Sequence, residues 1–363
     1  MPSTRHQQGN SQMIMKKLPL KKFRRSTTDT TPAASRITNE TVAEHRERIL
    51  AGGRKFKYPI QYARHKLVIN ALLVTFASIV LLVALAGWQL YIVQNSSTFL
   101  YRLTRILPVP VAVINGEQVR FSDYLVQYRG SEYYLSKYGE IKFNTTDGKR
   151  QLDYIKRESM NKAIADAYAR QIAGEQSIKI TSKDVDDVIN QQRNTANGRI
   201  SQETYDASSL MIYGWSPSDY RLAVEHSILR TRVAFAVDKN AKVQVKKAEE
   251  LLKQQSNDFT KVAEQLSGVQ GGKVIAGQSG LVSSVSTFGG LQVSELVKLT
   301  KDQVSGVLQS STDDGYYFVK VLEKNDTQVR FSYLHIPLTT FNNNLAELKK
   351  NAKITEFIQL ANK

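Results

Sequence analysis

The strongest hydropathy signal in the chain is Leu67 to Val93, LVINALLVTFASIVLLVALAGWQLYIV, which carries no charged residue. About 20 apolar residues suffice to cross the hydrocarbon core of a bilayer, so the run predicts a transmembrane helix over 67–93. Trp88 and Tyr91 suit the far interface, and Tyr62 to Lys66 forms a basic-aromatic collar on the near side. A cleaved signal peptide does not fit 66 preceding residues.

After a linker at 94–108 the pattern becomes that of a folded, mostly helical segment over 109–237. Val109 to Ile114 alternates as a strand, and Asn115-Gly116 is a hairpin turn signal because both residues tolerate positive φ. Ser122 is read as the cap of a helix bearing Tyr124, Leu125 and Tyr128. Leu152, Ile155, Ile164, Tyr168 and Ile172 share one stripe of a longer helix over 149–176. Thr181 and Asp184 have the spacing of a capping box, and Ser216-Pro217-Ser218-Asp219 opens a further helix. Tyr133 and Tyr134 are adjacent on a helix, so at least one is expected to be exposed. Further on, 243–324 reads as helices followed by strands. Gly315 to Glu323 and Gln328 to Ile336 are both rich in β-branched and aromatic residues and separated by a four-residue polar turn, which predicts an antiparallel hairpin. Pairing across that turn places His335 opposite Tyr316, and a slip of one residue turns His335 to the other face.

Charge sharpens this picture. The formal net charge is +17, but residues 1–66 hold 15 Lys/Arg against 4 Asp/Glu, so +11 of it lies in a tail poor in large apolar residues. Such a composition predicts a basic, disordered tail over 1–66. Five of those basic residues lie in GGRKFKYPIQYARHK before the span, against Arg102 and Arg105 after it, which places the amino terminus in the cytoplasm and the domains outside. The tail is expected to lie on anionic lipid head groups; no nucleic-acid partner is expected. There is no cysteine, and His6, His45, His65 and His226 form no metal set with His335. No cofactor is expected either. The five glycines of LSGVQGGKVIAGQSGLVSS (266–284) are not a P-loop: Gly268 to Gly272-Lys273 is one residue short, and Val274 stands where a hydroxyl is required. Gly277-Gln278-Ser279-Gly280 is read as a tight turn.

Two resemblances give these elements a meaning. The strand, NGE turn and SDY helix start after Val109, together with the SPSD helix, resemble the amino-terminal domain of SurA/PrsA-type extracytoplasmic chaperones. From Val243, Asp258-Phe259, Ala263, Ser267, Leu299, Val304-Ser305-Gly306, Gly315-Tyr316-Tyr317 and Val321 resemble the parvulin pattern in order and spacing. Together they imply an α+β chain with a single transmembrane helix, a mostly helical SurA-N-like domain, a parvulin-like domain built of a small antiparallel sheet with helices, and a C-terminal strand and helix over 325–363. The parvulin resemblance makes the glycine loop a structural turn beside a substrate groove, with Gly277, Gly280, Phe288 and Leu291 on the substrate side.

The chemistry carries over less well than the fold. Where parvulins place a polar cluster around the X-Pro amide, this chain has Tyr317 for one histidine, Val269 for the Cys/Asp and Gln278 for the loop aspartate. The remaining candidates for catalysis are His335, Tyr317 and Ser267, with His335 in a strand that either completes the parvulin sheet or is an ordinary addition. The resemblance implies a membrane-anchored folding factor that binds unfolded or secreted polypeptides, with weak or no isomerase activity. The alternatives are an active peptidyl-prolyl isomerase with a divergent site and a structural envelope protein docking a dedicated partner.

Overall fold

The computed structural model describes residues 38–57, 59–195, 198–325 and 327–361. It comprises two bodies, one reaching to Ser78 and one running from Ile79. In the first, α1 (Asn39–Lys57) and the start of α2 (Pro59–Tyr91) are helical. An unfolded tail over 1–66 is therefore corrected for its second half. Thr38 and Thr41 exchange hydrogen bonds that open α1, and the Ala/Glu/Arg-rich run that follows sustains a helix by local propensity. Residues 1–37 lie outside the described residues. Within α2, His65–Tyr91 is long and apolar enough to cross a membrane, and its apolar window is wholly unburied.

In the second body α2 ends against protein: Leu90 is buried and the Tyr91 hydroxyl donates to the Pro110 carbonyl at 2.6 Å. Helix α3 (Thr98–Ile106) follows. Strands β1 (Pro110–Ile114) and β2 (Glu117–Arg120) form the expected hairpin, with Asn115 and Gly116 both at positive φ. Helix α4 (Phe121–Lys137) starts one residue before Ser122, which is not its cap. Ser122 is buried, and its neighbour Asp123 pairs with Arg170 at 2.8 Å. That partner lies on α5 (Thr146–Gln176), where Ile155, Ile164, Tyr168 and Ile172 are buried as the stripe requires. The capping boxes at Thr181 and Ser216 both form, opening α6 (Ser182–Gln192) and, after the small ribbon β3 (Asn194–Thr195)/β4 (Gly198–Arg199) and α7 (Gln202–Tyr213), helix α8 (Pro217–Val237). Tyr134 and Tyr138 are exposed while Tyr124 and Tyr128 are buried.

The remaining chain holds α9 (Lys239–Gln254), α10 (Phe259–Leu266), β5 (Ile275–Gln278), β6 (Val282–Ser283), β7 (Thr287–Phe288), β8 (Leu291–Gln292), α11 (Val293–Leu296) and β9 (Leu308–Gln309). After these come the long strands β10 (Gly315–Lys324) and β11 (Gln328–Pro337), then α12 (Thr340–Lys350) and β12 (Ile354–Glu356). An antiparallel sheet runs β5-β11-β10-β9, with β6 also on β11. The tight turn expected at Gly277–Gly280 is corrected: Gly277 and Gln278 belong to β5, with Gly277 opposite Tyr333. The bend lies earlier, where the buried Gln244 amide donates to the Val269 and Gly272 carbonyls and leaves no room for a side chain at Gly271.

The β10–β11 hairpin forms, but its register is one residue from the simplest expectation. The turn pairs Lys324 with Val329, and a β-bulge at Leu322 then sets Tyr317 opposite His335. Without that extra residue His335 would face Phe318. The sheet is covered on both sides. Tyr316, Phe318, Leu334 and Ile336 enter a core shared with α9 and α10, whereas Tyr317, Val319, Phe331 and Tyr333 pack under β7, β8 and α11. This accounts for strands that are apolar almost throughout.

The largest departure from a linear reading is at the C-terminus. Strand β12 pairs antiparallel with β1, Ala112 opposite Glu356, and completes a three-stranded sheet β12-β1-β2. Arg157 of α5 holds Glu356 with one nitrogen 2.7 and 2.8 Å from the two carboxylate oxygens, and donates to the Leu360 carbonyl. The first core is continuous with that of the second sheet, through Tyr168 against Phe341 and Phe235 against Tyr316. Removing one partner of a buried ion pair costs about 3–5 kcal/mol, and the side chains of Arg157 and Glu356 are only 11% and 22% exposed. Arg157→Met is therefore expected to release β12, read as lost hydrogen-exchange protection in a peptide covering 352–361. Unchanged protection there would show that the strand pairing alone retains the tail.

Candidate functional site

A concavity of about 790 Å³ lies in the helical part between α3, α4 and the α7–α8 turn. Its wall is aromatic. Trp215 donates its indole N–H to the Val126 carbonyl at 2.9 Å and stacks on Tyr213, with ring centroids 5.0 Å apart. It lies directly over Gly130, where any side chain would strike the indole. Tyr213 in turn packs on Tyr134, 6.3 Å away. The floor is polar and closed. Tyr101 donates to Asp219, which also accepts from Arg105 at 2.7 Å and from the Ser216 amide. Burial, reinforced by Asp219, pushes the Tyr101 phenol well above the ordinary tyrosine range, so it stays protonated and serves as a donor. Asp219 is thus a helix cap, an ion-pair partner and a tyrosine acceptor at once; only the first role was legible from its spacing.

The rim combines cations with exposed apolar groups. Arg129 donates to Thr98 and the Ser96 carbonyl and lies 5.4 Å over the Tyr101 ring. Arg102 is exposed and has no acidic partner among the described residues. Beside the mouth, Leu210, Met211, Tyr213, Tyr134 and Tyr138 are all more than a third exposed. Contiguous exposed apolar surface of this kind on a folded body is the mark of a binding face. Sequence reasoning noted the tyrosines but not α7, which supplies the apolar residues that face them.

The second candidate is the β10–β11 face. His335 stacks on Tyr317 with centroids 4.5 Å apart, and Phe288 and Tyr333 extend the aromatic surface at 5.1 Å. Leu291 is buried beneath. The polar atoms here are bound to one another. The Tyr317 hydroxyl donates to the Asp314 carboxylate, and His335 Nε2 lies 3.2 Å from the Asp314 carbonyl and 3.4 Å from its Oδ2. Burial, then the Asp314 hydrogen bond, raises the Tyr317 pKa far above the ordinary range. His335 and Tyr317 are therefore brought together, and Gly277 borders them across Tyr333, whose hydroxyl would be 2.6 Å from a Cβ at 277. Ser267 is elsewhere: it ends α10, is exposed and donates to the Glu264 carbonyl. Gly280 faces open space. Asp314, which joins the pair, was missed; the available signal was its place immediately before the strand that carries Tyr317.

Against known proteins, the profile of the SurA-like N-terminal domain family matches residues 60–234. The match takes in α2 through most of α8 and every residue lining the aromatic cavity. Residues 60–234 thus carry a SurA-like N-terminal domain. No curated protein matches the chain.

Gly289, at φ +54° in the β7–β8 turn, sits against the Tyr317 hydroxyl, and a methyl group there would overlap it. Gly280 has no such neighbour. Gly289→Ala is expected to destabilise by about 1–3 kcal/mol through displacement of Tyr317 and residual backbone strain, whereas Gly280→Ala stays within roughly 0.5 kcal/mol. Thermal or denaturant unfolding of the two variants checks this; equal effects would refute the close packing over Tyr317.

Proposed function

We propose that the chain is a membrane-anchored extracytoplasmic folding factor that holds unfolded or secreted polypeptides through its SurA-like domain. The observation that carries this reading is the aromatic cavity with its exposed apolar rim, inside the segment that matches the SurA-like family. Extended unfolded segments offer the aromatic and aliphatic side chains that fit such a surface, and binding them keeps them from pairing with one another. The His65–Tyr91 helix supplies the anchor, and the excess of basic residues before it favours a cytoplasmic amino terminus. The basic tail then rests on anionic head groups of the inner leaflet.

The second half, residues 243–324 completed by β11, is read as a parvulin-like domain that binds without efficient turnover. Rotation about an X-Pro amide faces a barrier of ~20 kcal/mol, lowered by desolvating the amide and weakening its resonance. That work requires polar groups free to engage the substrate. In this face the Tyr317 hydroxyl and His335 Nε2 are both engaged with Asp314. Phe288 and Tyr333, over the buried Leu291, provide an apolar surface of the kind that accepts a proline ring. An active isomerase remains the competing reading, and the one observation in its favour is the stacked His335–Tyr317 pair beside that surface.

Two measurements test these assignments. The full chain in nanodiscs should suppress light scattering by a chemically denatured, unrelated protein. Leu210→Ser combined with Met211→Ser, both on the exposed rim, should weaken suppression several-fold while leaving thermal unfolding nearly unchanged. Absence of suppression by the unaltered chain would favour a structural protein with a dedicated partner. In a proline-tetrapeptide assay the chain should not accelerate isomerisation appreciably. Turnover at the level of an ordinary parvulin, abolished by His335→Ala, would establish the isomerase reading instead.

A further inference from the structure

We propose that the outward face of α3 lies in the head-group region of the membrane, seating the folded body on the bilayer surface beside its anchor. The proposal rests on the reading of His65–Tyr91 as a membrane span and extends it to a second, interfacial contact.

Helix α3 is apolar on two sides. One side, with Leu100, Tyr101 and Thr104, is buried in the core. The other presents Phe99 at 73% exposure and Ile106 at 79%, followed by Leu107 at 51%. Phe99, Arg102 and Ile106 fall at i, i+3 and i+7, a single stripe along the helix. Core packing explains the first side and leaves the second without a partner among the described residues. Water is a poor solvent for such a stripe; the boundary between head groups and acyl chains is a good one, since it accepts aromatic and branched apolar groups next to arginine.

The connection to α2 puts this stripe close to the end of the span. Only six residues separate Tyr91 from Thr98, and they fold back on the helix end. The Asn95 amide donates to the Gln89 carbonyl, the Asn95 side chain donates to Gln89 Oε1 at 2.9 Å, and Asn95 Oδ1 accepts from the Ser97 amide at 2.8 Å. Ser97 is the cap of α3. The last turn of α2 and the first of α3 are thus tied through one asparagine. That last turn itself exposes Trp88, and Ile92 and Val93 beyond it are exposed as well; tryptophan at the end of a span is characteristic of the interface. Arg102, flanked by Phe99 and Ile106, has no acidic partner among the described residues, and phosphate head groups supply one while its stem lies along the acyl boundary.

The absence of native cysteine permits a direct test. Single cysteines are placed at Phe99, Ile106, Val83 in the apolar helix, and Val243 on the solvent side of α9, then labelled with an environment-sensitive fluorophore. The full chain is reconstituted in nanodiscs containing phosphatidylglycerol, with or without lipids brominated near the head group. Labels at 99 and 106 should shift to the blue and be quenched at least half as strongly as the label at 83, with no effect at 243. Quenching at 83 without quenching at 99 and 106 would overturn the proposal and leave the span intact. Failure at 83 as well would remove both. Labels at 99 and 106 shielded from aqueous iodide yet unaffected by brominated lipid would assign the stripe to a protein contact, which also overturns it.

Discussion

The carboxylate of Asp238 fixes the relation between the two halves of the folded body. It is fully buried, yet it has no cationic partner among the described residues. Instead one oxygen accepts from the Ala241 amide at the start of α9, and the other accepts from the Thr339 and Thr340 amides at the start of α12. Burial opposes its ionisation, but these backbone donors outweigh that effect and hold its pKa below the ordinary value. Two helix amino termini, each with the positive end of its dipole, thus meet on one negative charge. α8 ends there and α9 departs into the second sheet. α12 begins there and carries the chain back toward the first, so the return of β12 to β1 depends on that junction.

A polar group placed this way does its work by being fully satisfied, and the same holds for the two candidate sites. In the aromatic cavity Tyr101, Asp219 and Arg105 satisfy one another, which leaves shape and apolar surface as what the cavity offers to a ligand. On the β10–β11 face the Tyr317–Asp314–His335 contacts likewise stabilise the sheet surface. A stacked imidazole and phenol resemble a catalytic pair in outline; here the Tyr317 hydroxyl and His335 Nε2 are both engaged with Asp314.

What could be read from the sequence was local. Asn115-Gly116, the caps at Thr181 and Ser216 and the β10–β11 hairpin all rest on residues within a few positions of one another, and turn or cap chemistry specifies them. Ser122 misled because a serine before a helix is a cap only if the helix starts after it. Phe121 already begins the helix, drawn in by its burial against Tyr91 and Tyr124. The bulge at Leu322 left no sequence mark, yet it decides which face His335 takes. The pairing of β12 with β1 spans some 240 residues and involves only three from β12, far too short a pattern to reveal a partner. Asp314 was overlooked for a similar reason: its importance lies in what β11 brings opposite it.

The strand order β12-β1-β2 also has a consequence in time. Ribosomes add ~5–20 residues per second, so roughly 10–50 s pass between synthesis of the β1–β2 hairpin and of the strand that completes its sheet. During that interval one edge of β1 is unpaired and Arg157 lacks its carboxylate. While being made, the folded body is thus an incomplete chain with an open strand edge. Its final three-residue strand determines when that state ends.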